Sequence, residues 1–115
     1  MGLRTKCSIY YYNYNIRRRF NIYLYLLEIS VEIYDSFSLE DKSKIVDGII
    51  DYAKNNFDVS ATEYADREFF NLSSMAFVSV SNDKDQAKLA LESIKKRIKE
   101  NKQVKIIEEN IQRLL

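Results

Sequence analysis

The sequence of 115 residues contains no histidine and no proline, and it has only one cysteine and two glycines. Without histidine the chain cannot carry a His-dependent catalytic arrangement or a zinc site of the usual His/Cys kind, and one cysteine cannot form a disulfide framework. The lack of proline and the rarity of glycine, with 46% hydrophobic and 30% charged residues, exclude a low-complexity or disordered chain. A chain of this length is expected to form one small domain around one core.

Charge is distributed unevenly along the chain, although the formal net charge is only +1. The first 22 residues hold five basic residues, and no acid appears before Glu28. Residues 28–68 carry a net charge of −7, whereas residues 83–105 carry +4. The near-neutral net charge is therefore the sum of a basic leader and an acidic body. Within that body, only a local basic surface could attract a nucleic acid.

Residues 1–22 form a basic, tyrosine-rich leader without a sustained apolar period. We expect it to be disordered or to result from a misassigned start, because translation of a purine-rich ribosome-binding sequence gives consecutive arginines such as Arg17–Arg19. Three functional alternatives stay open: an arm that contacts nucleic acid, a segment that binds an anionic membrane surface, and a targeting tail. The apolar run Ile22–Leu27 is too short for a secretory signal or a membrane span, so we expect a cytoplasmic protein without a membrane partner.

Residues 23–115 are predicted to form the single domain, and its first half has clear periodicities. Apolar residues alternate with polar ones from Leu27 to Ile33, and Tyr23 and Tyr25 continue this pattern backward, which predicts a half-buried strand. Ser38 is a suitable helix N-cap, with Asp41 placed to return the bond. Apolar residues spaced by three and four predict a helix from about Leu39 to Asn55, which ends where asparagine tolerates the left-handed conformation.

The second half predicts two more strands, a second helix and an ambiguous tail. Strands are expected at Phe57–Tyr64 and Met75–Ser81, joined by a polar connection at 65–74. An apolar stripe predicts a helix from about residue 82 to Asn101, and Val104–Ile111 is ambiguous between a strand and a helical tail. The resulting order β-α-β-β-α-β predicts a ferredoxin-like α+β sandwich, with two helices on one face of an antiparallel sheet.

Five lysines of the second helix fall at spacings that place them on one narrow stripe. As a functional site, this stripe would follow the phosphates of an RNA; the structural alternative is a solvated helix face whose lysine stems cover the edge of the apolar stripe. The candidate RNA-binding or partner-binding residues are Lys84, Lys88, Lys95, Lys99 and Lys102.

Other candidate sites are weaker. The segments around Tyr25 and Phe77 partly match the stacking motifs of RNA-recognition domains, but the same residues suit core packing better. Glu28, Glu32 and Glu63 are expected to meet on or near an exposed sheet face, although nothing completes a catalytic or metal site there. We therefore expect no enzymatic activity, no cofactor, no metal and no small-molecule substrate.

Three short blocks resemble the YlxP-like family of small bacterial proteins: residues 38–42 (SLEDK), residues 57–63 (FDVSATE) and residues 79–83 (SVSND). The family patterns are approximately HSLKDKRR, FNVSVAE and VVSND with the same spacing, and the match spans roughly Tyr23 to Gln112. The resemblance implies a ferredoxin-like fold in a cytoplasmic bacterial protein. It also implies a role near the small ribosomal subunit, because family members are often encoded beside translation-initiation and ribosome-maturation factors.

The first block departs from the family pattern in charge. This chain has Glu40, Ser43 and Lys44 where the family has one lysine and two arginines, and Phe37 stands where the family often has histidine. Any surface that binds RNA must then lie elsewhere or be weaker.

Two hypotheses of different classes follow. The first is a non-enzymatic factor associated with translation or ribosome maturation, which binds ribosomal RNA or protein through the lysine stripe. The second is a homo-oligomeric protein–protein interaction module without a nucleic-acid role, in which an edge strand or the open sheet face forms the interface. The second is motivated by a single polar face that bears Tyr34, Ser60, Thr62 and Tyr64.

Overall fold

The computed structural model describes residues 22–115, so the leader predicted at residues 1–22 lies outside the described residues apart from Ile22. The strands form one antiparallel sheet in the order β2-β3-β1-β4, and both helices pack against one face of it. This arrangement confirms the predicted ferredoxin-like α+β fold. Its elements are β1 (Tyr23–Ile33), α1 (Leu39–Asn56), β2 (Val59–Ala65), β3 (Leu72–Ser81), α2 (Lys84–Glu100) and β4 (Val104–Arg113).

The core lies between the sheet and the two helices. Odd-numbered residues of β1 from Tyr25 to Ile33 point toward the helices and are buried, whereas the even-numbered residues face away and are only half-buried. Because side chains alternate along a strand, the register with β1 also determines which side chains of the neighbouring strands face the helices. The core residues supplied by β3 and the helices include Met75, Phe77, Val46, Ala53, Leu91, Ile94 and Ile98.

The start of α1 follows the prediction closely, but its end does not. Ser38 Oγ accepts a hydrogen bond from the Asp41 amide at 3.0 Å, and Asp41 Oδ2 accepts one from the Phe37 amide at 3.1 Å. The predicted left-handed stop at Asn55 and Asn56 is wrong. The helix ends in an extended Phe57, with φ of −141°, whose amide still donates to the Ala53 carbonyl.

The strand bounds differ from the predictions at β2 and β3, and β4 is a strand. β2 begins at Val59, because Phe57 serves as the C-cap of α1. β3 begins at Leu72, three residues before the predicted Met75. The sequence predicts that Ser73 and Ser74 belong to a polar loop, but in the structure they pair with β1. Their hydroxyls donate to the carboxylates of Glu63 and Asp66, which satisfies them where they are buried.

Candidate functional site

The lysine stripe is shorter in the structure than in the sequence. Lys84, Lys88 and Lys99 are exposed on one flank of α2, beside the buried stripe that faces the sheet. Lys102 was predicted to continue this stripe, and that prediction is wrong. The helix ends at Glu100, and Asn101 is extended with φ of −77° and ψ of 116°, so the chain turns before Lys102.

Lys95, at the centre of the stripe, is already paired with carboxylates. Its ammonium lies 3.1 Å from Glu109 on β4 and 3.8 Å from Glu92 in the preceding turn of α2, and it is 26% exposed. The hydrogen bond to Glu109, followed by the charges of both carboxylates, raises the pKa of Lys95 against the opposing effect of burial. Lys95 thus ties α2 to the sheet, and three of the five predicted lysines remain exposed along the helix.

The aromatic residues that partly match RNA-recognition motifs belong to the core. Tyr25 is 5% exposed and Phe77 is fully buried, both on the helix-covered face of the sheet. A stacking platform needs its rings on an open face, so neither ring can take a base. The interpretation of these residues as core packing is confirmed.

The three glutamates considered together in the sequence lie on two different faces of the sheet. Glu28 and Glu32 are at even positions of β1 and point away from the helices. Glu63 on β2 points toward the helices instead, where it pairs with Lys42 of α1. The expectation that the three meet on or near one exposed face is therefore wrong. Within residues 22–115, no group of three or more His, Cys, Asp or Glu side chains is placed to hold a metal ion.

The open face of the sheet carries a cluster of hydroxyls and carboxylates around Tyr64. Ser30 Oγ and Ser74 Oγ lie 2.8 Å apart across β1 and β3, and Ser74 donates to Asp66 at 2.7 Å. Partial desolvation, and then the charges of Glu28, Glu108 and Asp66, raise the pKa of Tyr64, while a hydrogen bond with Ser30 lowers it. This half of the open face is acidic and repels phosphate groups.

Among residues 22–115, Lys42 is a buried cation, at 4% exposure, and it contacts the loop between β2 and β3. Its ammonium lies 2.8 Å from Glu63 Oε2 and donates to the carbonyls of Asp66, at 2.8 Å, and of Leu72, at 2.9 Å. Ser73 donates to the same carboxylate oxygen of Glu63 at 2.8 Å. Buried charges require this kind of pairing because desolvation otherwise makes them very costly.

The spacing of Lys42 along α1 indicates that it is buried, although lysine is usually an exposed residue type. Lys42 precedes the buried Val46, Ile49 and Ala53 by four, seven and eleven residues, so it lies on the apolar stripe of α1. Lysine is usually exposed, so residue type alone does not predict that Lys42 belongs to this stripe. A charged residue in register with an apolar stripe indicates a buried partner elsewhere in the chain.

A groove of about 490 Å³ lies between α1 and α2, and loop residues Asp35, Asn101 and Gln103 also line it. The Arg97 guanidinium lies 4.5 Å from the centre of the Tyr52 ring, which places a cation–π contact across the groove. Gly48 lines the α1 side, and a Cβ atom built there meets no other atom within 4 Å. Asp35, Asp41, Lys44 and Arg97 give the groove charges of both signs, so it selects no single class of ligand.

Comparison with known proteins supports the fold and identifies a family. The de novo designed protein Foldit4 is similar with a TM-score of 0.52 and 15% sequence identity, over 77% of this chain and 96% of that one. At this identity the similarity shows the fold alone. No curated protein matches the sequence, and no helix within the described residues is long and apolar enough to cross a membrane. A family model described as a protein of unknown function (DUF503) matches residues 24–111, and the chain belongs to that family.

Proposed function

We propose that this protein is a non-enzymatic, cytoplasmic binding factor of the bacterial translation apparatus, and that α2 contacts the phosphates of ribosomal RNA. The observation that carries the proposal is the exposure of three lysines on one flank of α2. Lys84 and Lys99 are fifteen residues apart in the helix, a span of about 22 Å, with Lys88 between them. Each lysine that neutralises a phosphate releases counterions and adds affinity that depends on salt.

The arrangement of charge over the fold supports this orientation. The acidic residues Glu28, Glu32 and Glu108 lie on the open sheet face, while α2 lies on the opposite side of the sheet. A phosphate backbone is therefore attracted to α2 and repelled by the open sheet face. The resemblance of the three sequence blocks to the YlxP-like family supports the translation context, because that family is encoded beside translation factors.

Co-sedimentation with purified small ribosomal subunits tests the proposal. Lys84→Gln, Lys88→Gln and Lys99→Gln are combined in one variant, and association is measured at low and moderate salt. We expect the variant to bind more weakly at low salt. The slope of log affinity against log salt should fall by about 2–3, since each phosphate contact contributes about 0.7–0.9 to it.

A matched variant separates this surface from net charge. Lys44, Lys54 and Lys105 are exposed outside α2, and their replacement by glutamine removes the same three charges. We expect this control to bind nearly as well as the unmodified protein. Equal losses in the two variants, or no association of the unmodified protein at either salt, would contradict the proposal.

A second candidate function is self-association through the apolar half of the open sheet face. Leu24 pairs with Val80, and Leu26 pairs with Val78, across the two central strands, with Ala76 beside them. None of these side chains is covered by a helix, and Val80 is 52% exposed. A two-fold axis through this apolar half would bury it in both copies and keep the two acidic halves apart.

Light scattering over a range of concentrations tests this second candidate. Val80→Asp is expected to shift a dimer to monomer, because two carboxylates would be buried across the axis. The control is Leu89→Asp, which changes a similarly exposed side chain (56%) on α2. A monomer at all concentrations in the unmodified protein would exclude the candidate.

A further inference from the structure

Four large apolar side chains are exposed on two adjoining segments at the end of the molecule where β1 leads into α1. We call this surface the aromatic end. Phe37 is 80% exposed, Leu39 is 53% exposed, and the adjacent Phe69 and Phe70 are each 45% exposed. Single exposed apolar residues are common on protein surfaces, but several large ones on adjoining segments are typical of an interaction site.

Hydrogen bonds hold the two segments of the aromatic end side by side. The Ile33 amide donates to the Asn71 carbonyl at 2.8 Å. The hydroxyl of Ser36, which is 4% exposed, donates to the carbonyl of Phe70. Lys42 reaches under the second segment to the carbonyls of Asp66 and Leu72. The phenylalanines are therefore presented on a fixed backbone, which lowers the entropy cost of binding.

Phe37 lacks the packing partner that its position offers in many helices. A residue just before the N-cap often packs on the fourth residue of the helix. Here that fourth residue is Lys42, whose ammonium is bonded beneath the β2–β3 loop, and Phe37 is 80% exposed. Lys42 therefore holds the loop in place, while Phe37 beside it stays exposed.

The rim of the aromatic end is acidic. Residues 34–41 and 66–71 contain five carboxylates and one arginine, none of them buried. Lys44 lines the same groove as Asp35 and Asp41, so negative charge remains in excess. This charge disfavours RNA and anionic lipid, which would be repelled. It also disfavours a second copy of the same surface, because like charges would then face each other. The carboxylates are Asp35, Glu40, Asp41, Asp66 and Glu68.

We propose that the aromatic end is a docking site for a protein partner whose contacting segment combines apolar side chains with lysine or arginine. The apolar side chains cover Phe37, Phe69 and Phe70, and the basic residues pair with the surrounding carboxylates. Aromatic anchors surrounded by polar residues are the usual arrangement of binding hot spots. This surface is distinct from the lysines of α2, so its partner is independent of the RNA contact proposed above.

Selection from a displayed peptide library of unbiased composition tests the proposal on the full chain. Selected peptides are synthesised, and their affinities are measured by fluorescence anisotropy. We expect them to contain aromatic or aliphatic residues flanked by lysine or arginine. Their affinity should fall about tenfold or more in the variant Phe69→Ser/Phe70→Ser, because truncation of aromatic hot spots typically has effects of this size.

Two further variants control for surface apolarity and for charge. Leu89→Ser/Ile107→Ser removes two apolar side chains of similar exposure, 56% and 54%, outside the aromatic end and should leave the affinity unchanged. Glu40→Gln/Glu68→Gln should weaken binding and reduce its salt dependence. Selection of peptides without basic residues, binding that survives Phe69→Ser/Phe70→Ser, or failure to select any peptide at micromolar concentration would each overturn the proposal.

Discussion

The ammonium nitrogen of Lys42 lies 2.8 Å from a carboxylate oxygen of Glu63, on the helix-covered side of the sheet. This contact joins α1 to β2, and the remaining bonds of Lys42 extend it to the β2–β3 loop. The two residues belong to two of the three sequence blocks that carry the family resemblance. The third block contains Asp83, whose carboxylate caps α2 by accepting from the Asp85 and Gln86 amides. Residues of all three blocks therefore stabilise the fold.

Removal of the buried cation is the first prediction. Lys42→Met leaves the Glu63 carboxylate and the carbonyls of Asp66, Arg67 and Leu72 without their partner. We expect a loss of about 3–5 kcal/mol in the free energy of unfolding. The double variant Lys42→Met/Glu63→Leu removes both charges and should recover much of this loss. Urea unfolding followed by circular dichroism measures both.

The control for this prediction is Lys44→Met. Lys44 is exposed two residues further along α1, and its replacement should change the unfolding free energy by less than about 0.5 kcal/mol. If Lys42→Met were as mild as Lys44→Met, the ion pair would have no role in stability. If the double variant were no more stable than Lys42→Met, the loss would come from the carbonyl bonds alone.

The regular parts of the fold could be predicted because their periodicities are strong and local. Alternation in β1 and the apolar stripes of the two helices depend on residues close together in the sequence. The start of β3 could not be predicted, since Ser73 and Ser74 are polar and become buried only through Glu63 and Asp66, which lie eight to ten residues earlier. Partners of this kind are supplied by the tertiary structure.

The candidate site was less predictable than the fold for the same reason. The spacing of the lysines was visible in the sequence, but the pairing of Lys95 depends on the register of β4 with β1, which places Glu109 opposite Ile29. The predicted position of Lys102 on the lysine stripe is wrong because α2 ends two residues before it. The burial of Lys42 could not be predicted either, because lysine is usually exposed.

The helix caps provide the second prediction. Ser38→Ala removes the acceptor for the Asp41 amide, and Asp83→Ala removes the acceptor for two amides of α2. Each change should cost about 1 kcal/mol of unfolding free energy. Because the two caps are on different helices, the costs should add in the double variant to within about 0.5 kcal/mol. A double variant that loses no more than one single variant would contradict this.

Gly48 provides a prediction of increased stability. Glycine in a helix interior costs about 0.5–1 kcal/mol relative to alanine, and a Cβ atom at position 48 meets nothing within 4 Å. Gly48→Ala should therefore raise the unfolding free energy by about that amount without disturbing the contact between Arg97 and Tyr52. Thermal unfolding measures the gain. A lower melting temperature would contradict this prediction.

The titration of Tyr64 is the last prediction. Partial desolvation and the charges of Glu28, Glu108 and Asp66 raise its pKa above the usual value of 10.0, so the folded state favours the neutral phenol. Its contribution to stability is therefore fully present below pH 10 and is lost as the pH rises through the raised pKa. The difference in ultraviolet absorbance between the unmodified protein and Tyr64→Phe isolates this one tyrosine during an alkaline titration. Glu28→Gln/Glu108→Gln should lower the midpoint toward 10, and a midpoint that is unaffected by this double change would show that these two carboxylates do not act on the phenol.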